Sequence, residues 1–277
     1  MSVVIATRRR PELLARCLAA VLDQRTEAEF EVIVVNDDDA PLAGLPPEER
    51  GLIVLECGGR GVASARNLGA KAARASLLLF TDDDTEPAPD WLDRLVAASR
   101  RHPTAVGFDG PVETGDYDLL YFHAPRALPG GCCGANVAYR RGPFLELGGF
   151  DERFYGWMPE DVEFGTRAKA RGAVVYVPDM VVRHPPRPIG IRERMVQASR
   201  VEGVWLLFRK HPSLSHWRVP LRWGPALAEF KRWSGLLTRR DVVRGSPGRA
   251  FRIVVLTLCT TASAGVASWR RWPGRAG

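Results

Sequence analysis

Two runs of three carboxylates, Asp37–Asp39 and Asp82–Asp84, each follow directly on a short apolar run. Crowded aspartates repel one another unless a cation or hydrogen-bond donors offset the charge. Hard divalent cations accept such oxygen ligands and commonly share them with substrate phosphates. Either run taken alone can equally cap a helix or form a turn. Between them lies GVASARNLG, residues 61–69. Gly61 permits an unusual backbone at a helix entry, and Arg66, about one turn in, carries a fork of donors that suits phosphate. The segment is neither GxGxxG nor a Walker loop, so dinucleotide binding and P-loop hydrolysis lose support. Cys132 and Cys133 are adjacent and have no neighbour at zinc or nucleophile spacing, which leaves them as small residues that allow close approach.

The elements that must hold these residues follow from periodicity. SVVIA (2–6), EVIVV (31–35), LIVLE (52–56) and LLLF (77–80) read as buried strands, and helix-patterned stretches follow at 11–24, 60–75 and 88–101. Near-continuous apolar strands alternating with helices predict an α/β fold with a parallel sheet covered on both faces. Ligands of such sheets bind beyond the carboxyl ends of the strands, where both aspartate runs fall. With 277 residues, 45% of them apolar, the chain can bury a full core, which excludes disorder and disulfide miniproteins. Five cysteines without CxxC spacing fit a reduced, cytoplasmic setting, and MSVVIATRRR has no leader pattern.

The net charge of +7 is unevenly spread. Residues 1–187 hold 22 Lys and Arg against 28 Asp and Glu, whereas residues 188–277 hold 17 against 4. An acidic first part argues against a nucleic-acid-binding body.

Taken together, SVVIATRRRPELLARCLAAVLDQ, EVIVVNDDD, GVASARNLGA, LLLFTDDDTEPAPDWL, GANVAYRR, LGGFDERF and EDVEFGTRAKARG resemble, in order and approximate spacing, family 2 glycosyltransferases of the GT-A fold. The resemblance covers about residues 1–187. It implies a Rossmann-like, mostly parallel central sheet flanked by helices, with a C-terminal helical appendage. It implies a nucleotide-diphosphate sugar donor, with Thr7, Arg10 and Asp37 on the base and ribose and Arg66 on the pyrophosphate. The DxD motif falls on Asp82 and Asp84, with Asp84 the direct ligand of Mn²⁺ or Mg²⁺ and Asp82 shared between ribose and metal. Because the middle residue is also acidic, Asp83 competes for the register. His184 matches a third metal ligand of some members, which favours Mn²⁺. Glu160-Asp161 resembles the family's ED pair, with Asp161 the base in inverting members and Glu160 on the acceptor side. Acidic residues at a helix start also complement the helix dipole without any catalytic role. Gly134 and Asn136 match the acceptor-side strand, and Trp157 can stack on a sugar or belong to the core.

The expected activity is metal-dependent, inverting transfer of a sugar to the hydroxyl of a glycan, glycolipid or other glycoside. A nucleotidyltransferase and a retaining transferase are the alternatives. After the Pro/Arg linker at 185–188, IRERMVQASRVEGVWLLFRKH reads as an amphipathic helix, and Trp205, Trp217, Trp223 and Trp233 recur among basic residues. Arginine with tryptophan suits a membrane interface, while a packed appendage or a homodimer contact has the same pattern. Residues 253–269 lack charge but are too weakly apolar to suggest a span, so peripheral attachment to the cytoplasmic membrane face is expected.

Overall fold

The computed structural model describes residues 1–42, 51–114, 121–122, 129–154, 159–188, 206–207 and 209–214. The chain divides into two compact units. The first comprises Met1–Gly115, Ala124–Tyr155 and Glu160–Pro185; the second comprises Asp116–His123, Gly156–Pro159 and Pro186–Gly277.

The elements run β1 (Ser2–Thr7), α1 (Pro11–Leu22), β2 (Glu31–Asn36), β3 (Leu52–Glu56), α2 (Val62–Ala72), β4 (Leu77–Asp82), β5 (Glu86–Pro87), α3 (Trp91–Arg101), β6 (Gly107–Asp109), β7 (Val112–Glu113), β8 (Tyr121–Phe122), β9 (Val137–Arg140), α4 (Arg141–Glu146), α5 (Glu160–Arg171), β10 (Val174–Tyr176), β11 (Val182–Arg183) and β12 (Arg187–Pro188). The four strands and three helices expected from periodicity all form, within two residues at most ends. In the second unit, β12 pairs antiparallel with β8, and a 3₁₀ turn covers Pro212–Leu214.

The first unit is organised by a seven-stranded sheet in the order β10-β6-β9-β4-β1-β2-β3. All neighbours pair in parallel except β9, which runs antiparallel to both β4 and β6. Alternation along the strands sends side chains to opposite faces. Val3, Ile5, Val32, Val34 and Leu79 meet Leu14 and Leu18 of α1 and Leu92 and Leu95 of α3 on one face. Val4, Ile33, Val35, Leu78 and Phe80 meet α2 and the aromatic group Tyr139, Phe144, Phe150 and Phe164 on the other. Each fully buried Val, Leu, Ile or Phe contributes about 1.5–3 kcal/mol, so this two-sided burial explains why the strands read as continuous apolar runs. Helix α2 lies unusually close to β1: a Cβ at Gly69 would come 2.5 Å from Val4 Cγ1.

This topology sets the position of the site. The parallel strands β1, β2 and β4 all end at one edge, placing Thr7, Asp37 and Asp82–Asp84 there. Because β9 is antiparallel, it begins at that same edge, so its lead-in Gly134–Asn136 adjoins the exit of β4. Thr81 Oγ1 donates to the Ala135 carbonyl at 2.8 Å and fixes that adjacency.

Candidate active site

The acidic loop after β4 sits on a buried polar floor. Cys17 Sγ and Thr85 Oγ1 both donate to the Asp82 carbonyl, at 3.3 and 2.7 Å. Asp83 turns inward and is buried. Its carboxylate accepts from Thr7 Oγ1 at 2.7 Å and from Arg10 Nη1 at 3.0 Å, and Arg10 also reaches Asp84 at 3.2 Å. Burial pushes the Asp83 carboxyl up to about 6, against the pull of Arg10. Asp83 is thus the fastener between β1 and the acidic loop, which leaves Asp82 and Asp84 as the two of the triplet grouped with His184. Thr7 and Arg10, expected on the base and ribose, spend these contacts on that fastener.

His184 arrives by a separate route. β5 follows the acidic loop at once, and β11 pairs antiparallel with it, Arg183 opposite Glu86, while the His184 N–H donates to the Glu113 carbonyl at 2.8 Å. The next residue after β11 therefore faces the loop. His184 is 2% exposed, with Nε2 3.0 Å from Asp84 Oδ1. Burial lowers its pKa, but the hydrogen bond and charge of Asp84, with Asp82 beyond, outweigh this and leave it raised. One ligand atom from each of Asp82, Asp84 and His184 lies within 4.8 Å of the others. Two carboxylates and an imidazole form a donor set that could hold a single metal ion.

Arg66 is no solvated helix arginine. It is buried in α2, and its two terminal nitrogens donate to Asp82 Oδ1 at 2.6 Å and Glu160 Oε1 at 2.7 Å. Burial pushes the Glu160 carboxyl up to about 8, with Asp161 adding to that and Arg66 opposing it. The neighbouring Asp161, half-buried at the start of α5, accepts from the Gly134 N–H at 2.8 Å through Oδ2 and from the Val162 N–H at 2.7 Å through Oδ1. Burial raises its pKa, while the Gly134 N–H and Arg66 restrain the rise. A carboxylate held by two backbone donors, with its proton affinity raised, is equipped to take a proton from a bound alcohol.

Two of the expected ligand contacts carry scaffold hydrogen bonds. Asn136 is fully buried: Oδ1 accepts from Trp91 Nε1 at 2.9 Å, and Nδ2 donates to the carbonyls of Pro111 and Met180 at 2.9 and 2.6 Å. It ties α3 to the segments that lead into β7 and β11. Asp37 uses both carboxylate oxygens on the Gly61 N–H, at 2.9 and 3.0 Å, and so holds the turn into α2, where Gly61 has φ +99°. Gly134 does allow a close approach, but the group that approaches is Arg66: a Cβ there would lie 2.6 Å from both Nη atoms. Trp157 lies outside the described residues. The thiols of Cys132 and Cys133 are pushed up by burial to about 11 and 12, which agrees with small packing residues rather than nucleophiles. Sequence reasoning did not single out Asp109, the buried last residue of β6, whose Oδ2 accepts from the Cys132 N–H and so braces the lead-in to β9. An acid directly after an apolar strand was the available signal, as it was for Asp82.

The glycosyl transferase family 2 model matches residues 2–154, and the model for the N-terminal domain of galactosyltransferase matches residues 122–187. The chain belongs to glycosyl transferase family 2. Among curated family relatives, validoxylamine A glucosyltransferase of Streptomyces hygroscopicus subsp. jinggangensis is 30% identical over 267 residues, covering 77% of this chain and 61% of the relative. The chain thus spans about three-fifths of the length of that relative. Among solved structures, the mannosyltransferase PcManGT from Pyrobaculum calidifontis, in complex with GDP-Man and Mn²⁺, aligns over 98% of this chain and 87% of its own, with TM-score 0.60 and 18% identity. S. aureus TarS 1–349 in complex with UDP-GlcNAc aligns over 96% and 90%, with TM-score 0.55 and 14% identity. The fold is GT-A, an α/β architecture with a mostly parallel central sheet.

Proposed function

We propose that this family 2 chain is a metal-dependent, inverting glycosyltransferase that moves a sugar from a nucleotide-diphosphate donor to an acceptor hydroxyl. The observation that carries the reading is the convergence of Asp82, Asp84 and His184 at the carboxyl edge of the sheet. Those three residues would hold Mn²⁺ or Mg²⁺, and such an ion acts as a Lewis acid that stabilises the leaving diphosphate. Arg66, whose fork already carries two carboxylates, supplies positive charge on the same side. Asp161 takes the proton of the acceptor O–H; that oxygen bonds to the anomeric carbon as the bond from carbon to the diphosphate oxygen breaks, and the configuration inverts. The backbone N–H groups of Gly134 and Val162 fix the direction in which Asp161 receives the proton.

Residues 1–187 are proposed as the catalytic portion and residues 188–277 as a basic, mainly helical region. The arginine and tryptophan content of the latter supports a peripheral contact with the cytoplasmic membrane face and a lipid-linked glycan acceptor. Most of that region lies outside the described residues. Among the described residues, no helix is long and apolar enough to cross a membrane.

Calorimetric titration of UDP and GDP with and without Mn²⁺ tests the donor side. Wild-type protein should bind one of them at least tenfold more tightly with the metal, and Asp84→Ala and His184→Ala should each remove about tenfold or more of that gain, since losing even an outer partner of a metal ligand costs 10–100-fold. Unchanged metal dependence in both variants refutes the assignment. NMR of the product anomer decides inversion against retention, and release of pyrophosphate from a nucleoside triphosphate would indicate nucleotidyl transfer instead.

A further inference from the structure

Arg66 touches both halves of the proposed chemistry. Its Nη2 holds Asp82 of the metal-ligand group, and its Nη1 holds Glu160, the residue beside the base. Both nitrogens rest where a side chain at Gly134 would begin, and the N–H of that same glycine is the donor that orients Asp161. Four segments distant in sequence, α2, the end of β4, the lead-in to β9 and the start of α5, therefore meet on one guanidinium. Glu160 is 4% exposed, and its second oxygen, like Arg66 Nε, is buried with no hydrogen-bond partner among the described residues. A buried charge with only part of its donors used is fixed by the partners it has, and removing one of them releases it.

We propose that Glu160 is a positioning residue rather than an acceptor contact: with Gly134 as the seat, it clamps the Arg66 guanidinium against Asp82, so that the donor-binding end and the Asp161 end of the site are set by a single side chain. The inference rests on the transferase reading above. Glutamate suits the role because its longer side chain reaches Arg66 from the first turn of α5 while Asp161, one residue on, stays with the Gly134 N–H. Glycine suits position 134 because any Cβ would push the guanidinium off both carboxylates and tilt the N–H that holds the base.

The test combines calorimetric affinity for UDP and GDP, with and without Mn²⁺, and steady-state kinetics on the full chain. Glu160→Ala should weaken nucleotide affinity about tenfold, whereas Glu160→Gln, whose side-chain oxygen still accepts from Arg66, should stay within about threefold of wild type. Gly134→Ala should lower nucleotide affinity and kcat together, while Asp161→Asn lowers kcat alone. If Glu160→Ala instead raises the KM for acceptor and leaves nucleotide affinity unchanged, Glu160 is an acceptor contact and the inference falls. Should the alanine variant fail to fold, as judged by near-UV circular dichroism, Glu160→Asp decides. It keeps the carboxyl but withdraws it by one methylene, so wild-type nucleotide affinity in that variant overturns the clamp. If wild-type protein binds UDP or GDP equally with and without Mn²⁺, the metal reading fails and the clamp is judged on the metal-free affinities in the same way. A wild-type protein that binds neither nucleotide under any condition overturns both.

Discussion

Replacing Asp161 by asparagine is the most informative single change, because its two consequences can be calculated separately. In the native site both carboxylate oxygens accept backbone N–H groups, Gly134 at 2.8 Å and Val162 at 2.7 Å. Asparagine has one acceptor oxygen, so whichever way the amide is turned, one N–H faces an NH₂ group. The Val162 N–H is exposed and can pass to water, whereas the Gly134 N–H is partly buried, and stranding a buried donor costs up to about 1–3 kcal/mol. For a domain of this size each kcal/mol lowers Tm by about 2–4 °C, so Asp161→Asn should melt no more than about 12 °C below wild type, and close to wild type if the amide oxygen stays on Gly134. The catalytic loss is separate: removing a positioned general base costs about 10²–10⁴-fold in kcat. Differential scanning calorimetry gives the first number, and product formation at saturating donor and acceptor gives the second. UDP and GDP affinity should stay within about threefold, because the carboxylate touches neither Arg66 nor the metal-type ligands directly. Retention of more than a tenth of the wild-type kcat in a variant that folds, as its melting transition shows, would refute the base assignment. A Tm loss well beyond about 12 °C would refute the two-donor geometry.

Two further predictions concern the scaffold. Asn136→Leu strands the Trp91 N–H and the carbonyls of Pro111 and Met180, so chemical denaturation should show a loss of at least about 3 kcal/mol at unchanged m-value. Glu31 accepts from Ser2 Oγ and from the Arg74 backbone and guanidinium, and although burial opposes them these bonds hold its pKa below the ordinary 4.5. A lowered carboxylate pKa contributes stability that is full above the unfolded value and is lost as pH falls through the folded one. Glu31→Gln should therefore reduce stability at pH 7 and flatten the acid limb below about pH 5, as followed by urea unfolding across pH.

How much of this was legible beforehand depends on the range over which each signal acts. The strands β1, β2, β3 and β4 were readable because each is an apolar run buried on both faces, and the acidic triplets because they sit beside those runs. The two-residue strands β5, β7 and β11 carry no periodicity, yet it is β11 beside β5 that brings His184 to Asp84, a pairing across almost a hundred residues. The inward turn of Asp83 is likewise set by Thr7, 76 positions away, which no local pattern contains. Gly134 was recognisable as a place of close approach, but Arg66 as the approaching group required the antiparallel entry of β9 next to β4. The scaffold bonds of Asn136 were hidden for a related reason. A polar residue in a glycine-rich lead-in resembles a ligand contact until its three partners, on α3 and beside β7 and β11, are known.

The thiol beneath the acidic loop has a practical consequence. Cys17 is fully buried in α1 with its sulfur on the Asp82 carbonyl, and burial pushes its pKa up to about 12. Alkylation requires both thiolate and access, so the folded floor protects this cysteine twice over. Its labelling rate under native conditions then counts the openings of the ground on which Asp82–Asp84 stand, in the manner of amide exchange. An unmodified side chain thus serves as a built-in clock for local breathing of the site, and slower labelling when Mn²⁺ and UDP or GDP are added would time how firmly they close that floor.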